Sequence, residues 1–438
     1  MNPLAEQLNQ DIARSNSGLL DMLSGIGRQL FFPKGILSQS AEAKEKAHRI
    51  NATIGIAKEQ GGIMCFDSVM RAIDGIPPGE SLTYAPSFGI PALRERWQQE
   101  LMAKNPSLAG KTISLPVVTC GVTHGVSIFA DLWIDPGDVV IVPELMWGNY
   151  NMILNVRKGA RLKHYDLLDD HGAFNLPAFS EAVEQEARQN AKITVLLNFP
   201  QNPSGYTPTE QEADAIVRLL VAAAESGTHV IAAMDDAYFG LFYEDQTLKE
   251  SLFARLADRH PNLLAVKLDG GTKEYFIWGL RIGFVTYGAC CSGDSAPLYA
   301  ALEQKTAGCI RGNISNASHL SQSILLRSLR DPRNQAEREE KFKILKSRAL
   351  KVKQVLGDPK YDTAWAAYPF NSGYFMCIKL KSVEAEPLRV HLLERYGIGL
   401  ISIGKSALRI AFSCIEEDQV QELFDTILQG VHDLQVTS

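Results

Sequence analysis

Between Pro116 and Tyr287, short apolar runs alternate with stretches of helical periodicity, and this alternation restricts the fold more than any other feature of the chain. VVIV from Val139, TVLLN from Thr194, HVIAAM from His229, LLAVKL from Leu263 and IGFVTY from Ile282 read as strands. Strands of this kind, joined by amphipathic helices, imply a largely parallel sheet covered on both faces. One helix is expected from about His124 to Trp133, where Val126, Phe129, Ala130 and Trp133 fall at helical spacing. Another opens at Thr209, whose hydroxyl and Glu212 make a capping-box pattern ahead of Ile216, Val217 and Leu220.

With 438 residues the chain exceeds one ordinary core, so a second domain is expected. RNQAEREEKFKILKSRALKVKQV, from Arg333 to Val355, reads as a long helix with a solvated charged face over Ile344, Leu345 and Val352. After it, strands at GYFMCIKL and LRIAFSC flank a helix near Leu388 to Tyr396, a smaller α+β unit. The first 50 or so residues carry Leu4, Leu8 and Ile12, then Leu19, Met22, Leu23 and Ile26, a stripe suited to packing or to a dimer contact. The expected division is an arm with part of the small domain over 1–64, a large domain over 65–332 and the C-terminal small domain over 333–438. A net charge of −6 argues against a nucleic-acid surface, which needs clustered Lys and Arg. Charge interrupts every apolar run short of a bilayer's thickness, and Glu6 and Asp11 make the N-terminus unlike a secretory signal. The seven cysteines lack metal-ligand spacing and include the adjacent pair Cys290-Cys291, which suits a reducing cytoplasm and no metal site.

Three stretches stand out in a fixed order: NFPQNPSG ending at Gly205, MDDAYFG from Met234 to Gly240, and LDGGTKEYFIWGLRIGF, which contains Thr272, Lys273 and Arg281. They put an amide, a carboxylate, an amine and a guanidinium at the ends of successive strands, the rim where open α/β sheets bind ligands. A lysine beside fixed positive charge loses its proton more readily and can form a Schiff base with a carbonyl. Such chemistry needs an aldehyde partner.

Asn202-Pro203-Ser204-Gly205, Asp235-x-Ala237-Tyr238, Thr272-Lys273 and Arg281 resemble the class I aminotransferases, pyridoxal-phosphate enzymes of fold type I. The resemblance extends to Tyr84-x-Pro86-x-x-Gly89 and to Arg409 in SALRIAF, and is nearest to the aspartate/aromatic branch. It implies a large, mainly parallel αβα-sandwich domain with a smaller α+β domain, the cofactor pyridoxal 5'-phosphate and a homodimer. It also implies ping-pong transfer of an amino group between an L-amino acid, acidic or aromatic, and a 2-oxo acid.

Under the resemblance Lys273 carries the cofactor's aldehyde as a Schiff base, and once freed it moves the proton at the substrate α-carbon. Asp235 pairs with the ring nitrogen; its sequence rival Asp236 is expected to point the other way and to cap a helix or turn. Asn202 and Tyr238 reach the phenolic oxygen. Gly121, Val122 and Thr123 offer backbone donors to the phosphate, with Arg281, Thr272 and, from the neighbouring subunit, Tyr84. One departure is Gly270, where many relatives have serine, so a phosphate hydrogen bond is missing or falls to Thr272 alone. Trp147 either stacks on the ring or is a core tryptophan, and His124 is expected to make a local hydrogen bond. Arg409, with Asn202 and a backbone N–H of Gly55, is expected to take the α-carboxylate. Arg311 either crosses the dimer to a side-chain carboxylate or makes a surface ion pair. Rival readings are a β-lyase or decarboxylase with the same cofactor, and a cofactor-sensing regulator, for which the N-terminal extension is too short and too acidic.

Overall fold

The computed structural model of the chain describes residues 1–32 and 35–437. Its centre is a seven-stranded sheet built from β1 (Val117–Thr119), β2 (Val139–Pro143), β3 (Arg161–Tyr165), β4 (Lys192–Asn198), β5 (His229–Asp235), β6 (Leu263–Asp269) and β7 (Gly283–Ala289). The spatial order is β1-β7-β6-β5-β4-β2-β3. Strands β3, β2, β4, β5 and β6 pair in parallel, whereas β7 runs antiparallel to both β6 and β1. The expected sheet is therefore present with one strand reversed. An apolar run such as IGFVTY carries no sign of its direction.

Side chains alternate across the sheet. Ile231, Ala233, Val266 and Leu268 pack toward α1 (Gly121–Trp133) with Val126 and Phe129, while Ala232, Met234 and Ala265 belong to the core on the other face. On that other face lie α2 (Leu176–Gln189) and α3 (Glu210–Glu225), which contribute Phe179, Val183, Ile216 and Leu220. Thr209 caps α3 with the expected reciprocal bonds to Glu212, an arrangement worth about 1 kcal/mol. Helix α1 starts three residues earlier than its periodicity suggests, because Gly121 turns sharply off β1 with φ of +77°.

The C-terminal unit is a four-stranded antiparallel sheet of β8 (Trp365–Ala367), β9 (Phe375–Leu380), β10 (Ile401–Ile403) and β11 (Ala407–Ala411), in the order β8-β9-β11-β10. It is joined to the large sheet by the 23-residue helix α4 (Asn334–Leu356), which buries Leu345 and Val352 as read from its sequence and Ala349 besides, while Ile344 is only half-buried. Helices α5 (Ala385–Tyr396) and α6 (Gln419–Thr437) cover the small sheet. The N-terminal arm leaves Leu8, Leu19, Met22, Ile26 and Phe32 exposed. No helix among the described residues is long and apolar enough to cross a membrane.

Candidate active site

The carboxyl ends of β4, β5 and β6 open into a cavity. Val122, Thr123, Trp147, Asn202, Asp235, Tyr238, Thr272, Lys273 and Arg281 line it, so nine residues singled out in the sequence meet in one place. Strand alternation explains which aspartate takes part. Asp235 follows Ala233 on the α1 face, while Asp236 turns to the opposite face, where Lys267 and Ser251 bind it. The expectation that Asp236 is a helix- or turn-capping residue is corrected here, since it is one half of a buried ion pair.

Lys273 is partly buried, and its Nζ donates to the Gly55 carbonyl at 2.9 Å. Burial, reinforced by the Arg281 and Arg409 guanidinium groups, brings its amine down to about 7, within reach of the neutral form at ordinary pH. Its backbone is pinned by Tyr374, whose hydroxyl donates to the Lys273 carbonyl at 2.7 Å. Gly55 thus belongs to the site, but the group it turns to Lys273 is its carbonyl oxygen. A side chain there would meet Phe375, Lys273 and Tyr238 at 3.2–3.6 Å.

Asp235 is held by Tyr150, whose hydroxyl donates at 2.5 Å, and by the Ala237 N–H at 3.1 Å. Burial raises its carboxyl to about 6. Tyr150 also meets Trp147 edge to face, with ring centres 5.4 Å apart. Neither Tyr150 nor Asn198, which supports Asn202 and the Asp235 carbonyl, was singled out in the sequence. The signal available for Tyr150 was an aromatic one helical turn beyond Trp147.

Arg409 is buried on β11 over the Phe375 ring, 4.1 Å from its centre. It donates to the Thr53 carbonyl at 2.7 Å and to Asn202 Oδ1 at 3.3 Å, while its buried Nε has no partner among the described residues. A guanidinium only donates, so the amide oxygen of Asn202 faces it and the Asn202 NH₂ is left for the cavity. The turn that carries Asn202 ends at Gly205, where a Cβ would lie 2.1 Å from the Phe375 carbonyl; only glycine allows that approach to β9.

At the other end of the cavity Arg281, itself in the left-handed conformation with φ of +53°, lies against the first turn of α1. A Cβ on Gly121 would sit 2.5 Å from Arg281 Nη2. Free backbone N–H groups at a helix start beside a guanidinium form an anion cradle. Thr272 is buried here with its hydroxyl 3.4 Å from the Ile282 carbonyl. A side chain at 270 would come within 2.4 Å of that same carbonyl, so Gly270 leaves no room for serine. His124 makes the expected local bond, accepting from the Cys120 N–H at 3.0 Å. These groups fit pyridoxal 5'-phosphate along its length: an anion cradle, a buried carboxylate and a readily deprotonated amine in one cavity.

Among the described residues, Tyr84 and Arg311 neither line this cavity nor contact the residues that do, as Gly55, Gly121 and Arg409 do. Tyr84 is 89 % exposed. Arg311 is exposed at the end of the helix Ala296–Asn313, with its guanidinium bonded to Ser315 Oγ at 2.7 Å.

Comparison with known proteins identifies the family. A family model described as aminotransferase class I and II matches residues 49–427. A probable N-acetyl-LL-diaminopimelate aminotransferase of Bacillus subtilis is 26% identical over 374 residues, 84% of this chain and 83% of that protein. A probable aspartate/prephenate aminotransferase of Aquifex aeolicus is 26% identical over 303 residues, 69% of this chain and 70% of that protein. Among solved structures, an aminotransferase from Anaerococcus prevotii superposes with a TM-score of 0.82 at 24% identity, covering 93% of this chain and 98% of that one.

Proposed function

The chain belongs to the class I and II aminotransferases, and from that premise we propose that it moves an amino group between an L-amino acid and a 2-oxo acid by a ping-pong route, with Lys273 as its central residue. As a member of that family it is a transaminase dependent on pyridoxal 5'-phosphate. When bound, the cofactor supplies an aldehyde for the amino group and a ring that withdraws electrons from the substrate α-carbon.

The chain's own residues do the rest. The N–H groups of Gly121, Val122 and Thr123, with Arg281 and Thr272, would hold the phosphate. Asp235, kept in place by Tyr150 and Ala237, would be the anion that keeps the ring nitrogen protonated. Trp147 would pack against the ring, and Asn202 and Tyr238 would donate to its phenolic oxygen. Arg409 takes the α-carboxylate through its unpartnered edge and so fixes which bond at the α-carbon is broken. Lys273, poised near neutrality, accepts the α-proton and returns it on the other side of the exchange. The observation that carries this reading is the partly buried amine of Lys273 in one cavity with Asp235 and Arg281.

The donor is read as acidic or aromatic, the working unit as a cytoplasmic homodimer, with Tyr84 and Arg311 serving the neighbouring subunit. A panel of amino donors with 2-oxoglutarate tests the reaction. One turnover without acceptor should release a 2-oxo acid and leave the amino nitrogen on the enzyme. Stoichiometric ammonia or carbon dioxide would replace transamination by a lyase or decarboxylase reading.

A further inference from the structure

Behind the cavity, on the face of the sheet opposite Asp235, lies a buried charge cluster that the mechanism above does not use. Lys267 stands on β6 beside Met234 of β5 and is wholly buried. Its ammonium pairs with Asp236, lies 3.6 Å from Asp269 Oδ2 and stacks 4.3 Å from the centre of the Phe239 ring. Asp236 also accepts from Ser251 Oγ at 2.5 Å, and Asp269 from Trp97 Nε1 at 3.2 and 3.3 Å.

The two carboxylates belong to the two segments that carry the chemistry. Asp236 follows Asp235 directly, and Asp269 opens the run that ends in Lys273. On the far side of that run Glu274 is anchored by Lys104 at 2.9 Å and Arg338 at 3.3 Å, with Glu100 and Tyr275 beside them. A buried ammonium shared between two segments ties them together, because withdrawing either segment would strand a charge away from water. It also offsets the negative charge of Asp236, which otherwise opposes ionisation of Asp235.

We propose that Lys267 is a positioning residue for the amino transfer: its ammonium fixes the end of β5 to the start of the Lys273 segment and cancels the charge of Asp236 behind Asp235. The inference rests on the transamination reading.

Holoenzymes of Lys267→Met, Asp236→Asn and the double variant test it, through the pH midpoint of the visible absorption of the cofactor on Lys273 and through kcat and KM separately. That midpoint reports a cation, so added negative charge raises it and added positive charge lowers it. Lys267→Met should move it up and Asp236→Asn down, each by about half a pH unit or more, with the double variant back near wild type. For Lys267→Met, kcat should fall about ten- to a hundredfold while KM stays within about threefold, and the double variant should recover much of the loss. A cluster that only stabilised the fold would lower the melting temperature of both single variants without opposite shifts. Midpoints that stay put or move together in folded single variants overturn the proposal. If Lys267→Met does not fold, Asp236→Asn decides: a downward shift supports the proposal and an unmoved midpoint overturns it. If the wild type shows the absorption band but moves no amino group from any donor, the transamination reading fails, while opposite midpoint shifts still report on Lys267.

Discussion

Adjacent aspartates at the end of β5 have unlike surroundings, and this predicts unlike losses. Asp235→Asn should still bind cofactor and melt near the wild-type temperature, yet transaminate at least about a hundredfold more slowly, since an amide offers no charge to the ring nitrogen. Asp236→Asn should show the reverse, a milder loss of turnover with a lower melting temperature, because it removes one partner of a buried pair. Reversed effects in kinetics and thermal melts would place the ring nitrogen over Asp236. The amine of Lys273 adds a pH dependence. Its raised readiness to lose a proton means that cofactor capture by the cofactor-free protein should speed up as pH rises through about 7 and then level off. Arg409→Leu should move that midpoint upward, since it removes a nearby positive charge. Capture rates that climb steadily toward pH 10 would show an ordinary lysine. Most of these groups could be read from the sequence because strand ends and strand alternation are local. Lys267 and Tyr150 could not, because each acts through a neighbouring strand or loop. The one trace of Lys267 was a lysine inside the apolar run LLAVKL, a place where a charge needs a buried partner.

At the level of elements, the strands and the capped helix α3 were legible because hydrophobic period and capping chemistry are written into consecutive residues. The start of α1 and the direction of β7 were not, since both follow from how segments meet. Gly270 illustrates the difference. Its sequence position suggests a missing serine hydroxyl, whereas its surroundings show that no side chain fits, with the Ile282 carbonyl 2.4 Å from a would-be Cβ. Gly270→Ser should therefore not strengthen cofactor binding. It should weaken it and lower stability by about 1–3 kcal/mol, the usual penalty for overpacking. Cofactor titration and denaturant unfolding measure the two effects, and a tighter-binding, equally stable variant would mean that β6 and β7 separate easily to admit the serine.

The largest scale concerns what one chain leaves uncovered. Tyr84 stands 89 % exposed and outside the cavity of its own chain, so its expected reach to a phosphate needs a second subunit. Mixing Tyr84→Phe chains with Lys273→Ala chains should create hybrids with one doubly altered site and one intact site. Activity should then exceed that of the Lys273→Ala dimer and of the residual Tyr84→Phe dimer together; no gain would confine Tyr84 to its own chain. Arg311 poses the same question for the substrate. Among the described residues its guanidinium bonds Ser315 Oγ, at the end of the helix Ala296–Asn313, and a distal carboxylate would have to come from the neighbouring site. If it does, removing the guanidinium strands that carboxylate in the complex at a cost of roughly 3–5 kcal/mol. Arg311→Leu should then lower kcat/KM for aspartate or glutamate by about two to four orders of magnitude and leave phenylalanine or tyrosine nearly unchanged. Arg409→Leu should instead weaken every donor, because all of them share the α-carboxylate. Equal losses for acidic and aromatic donors on changing Arg311 would make it a structural residue and remove the support for a dicarboxylate substrate.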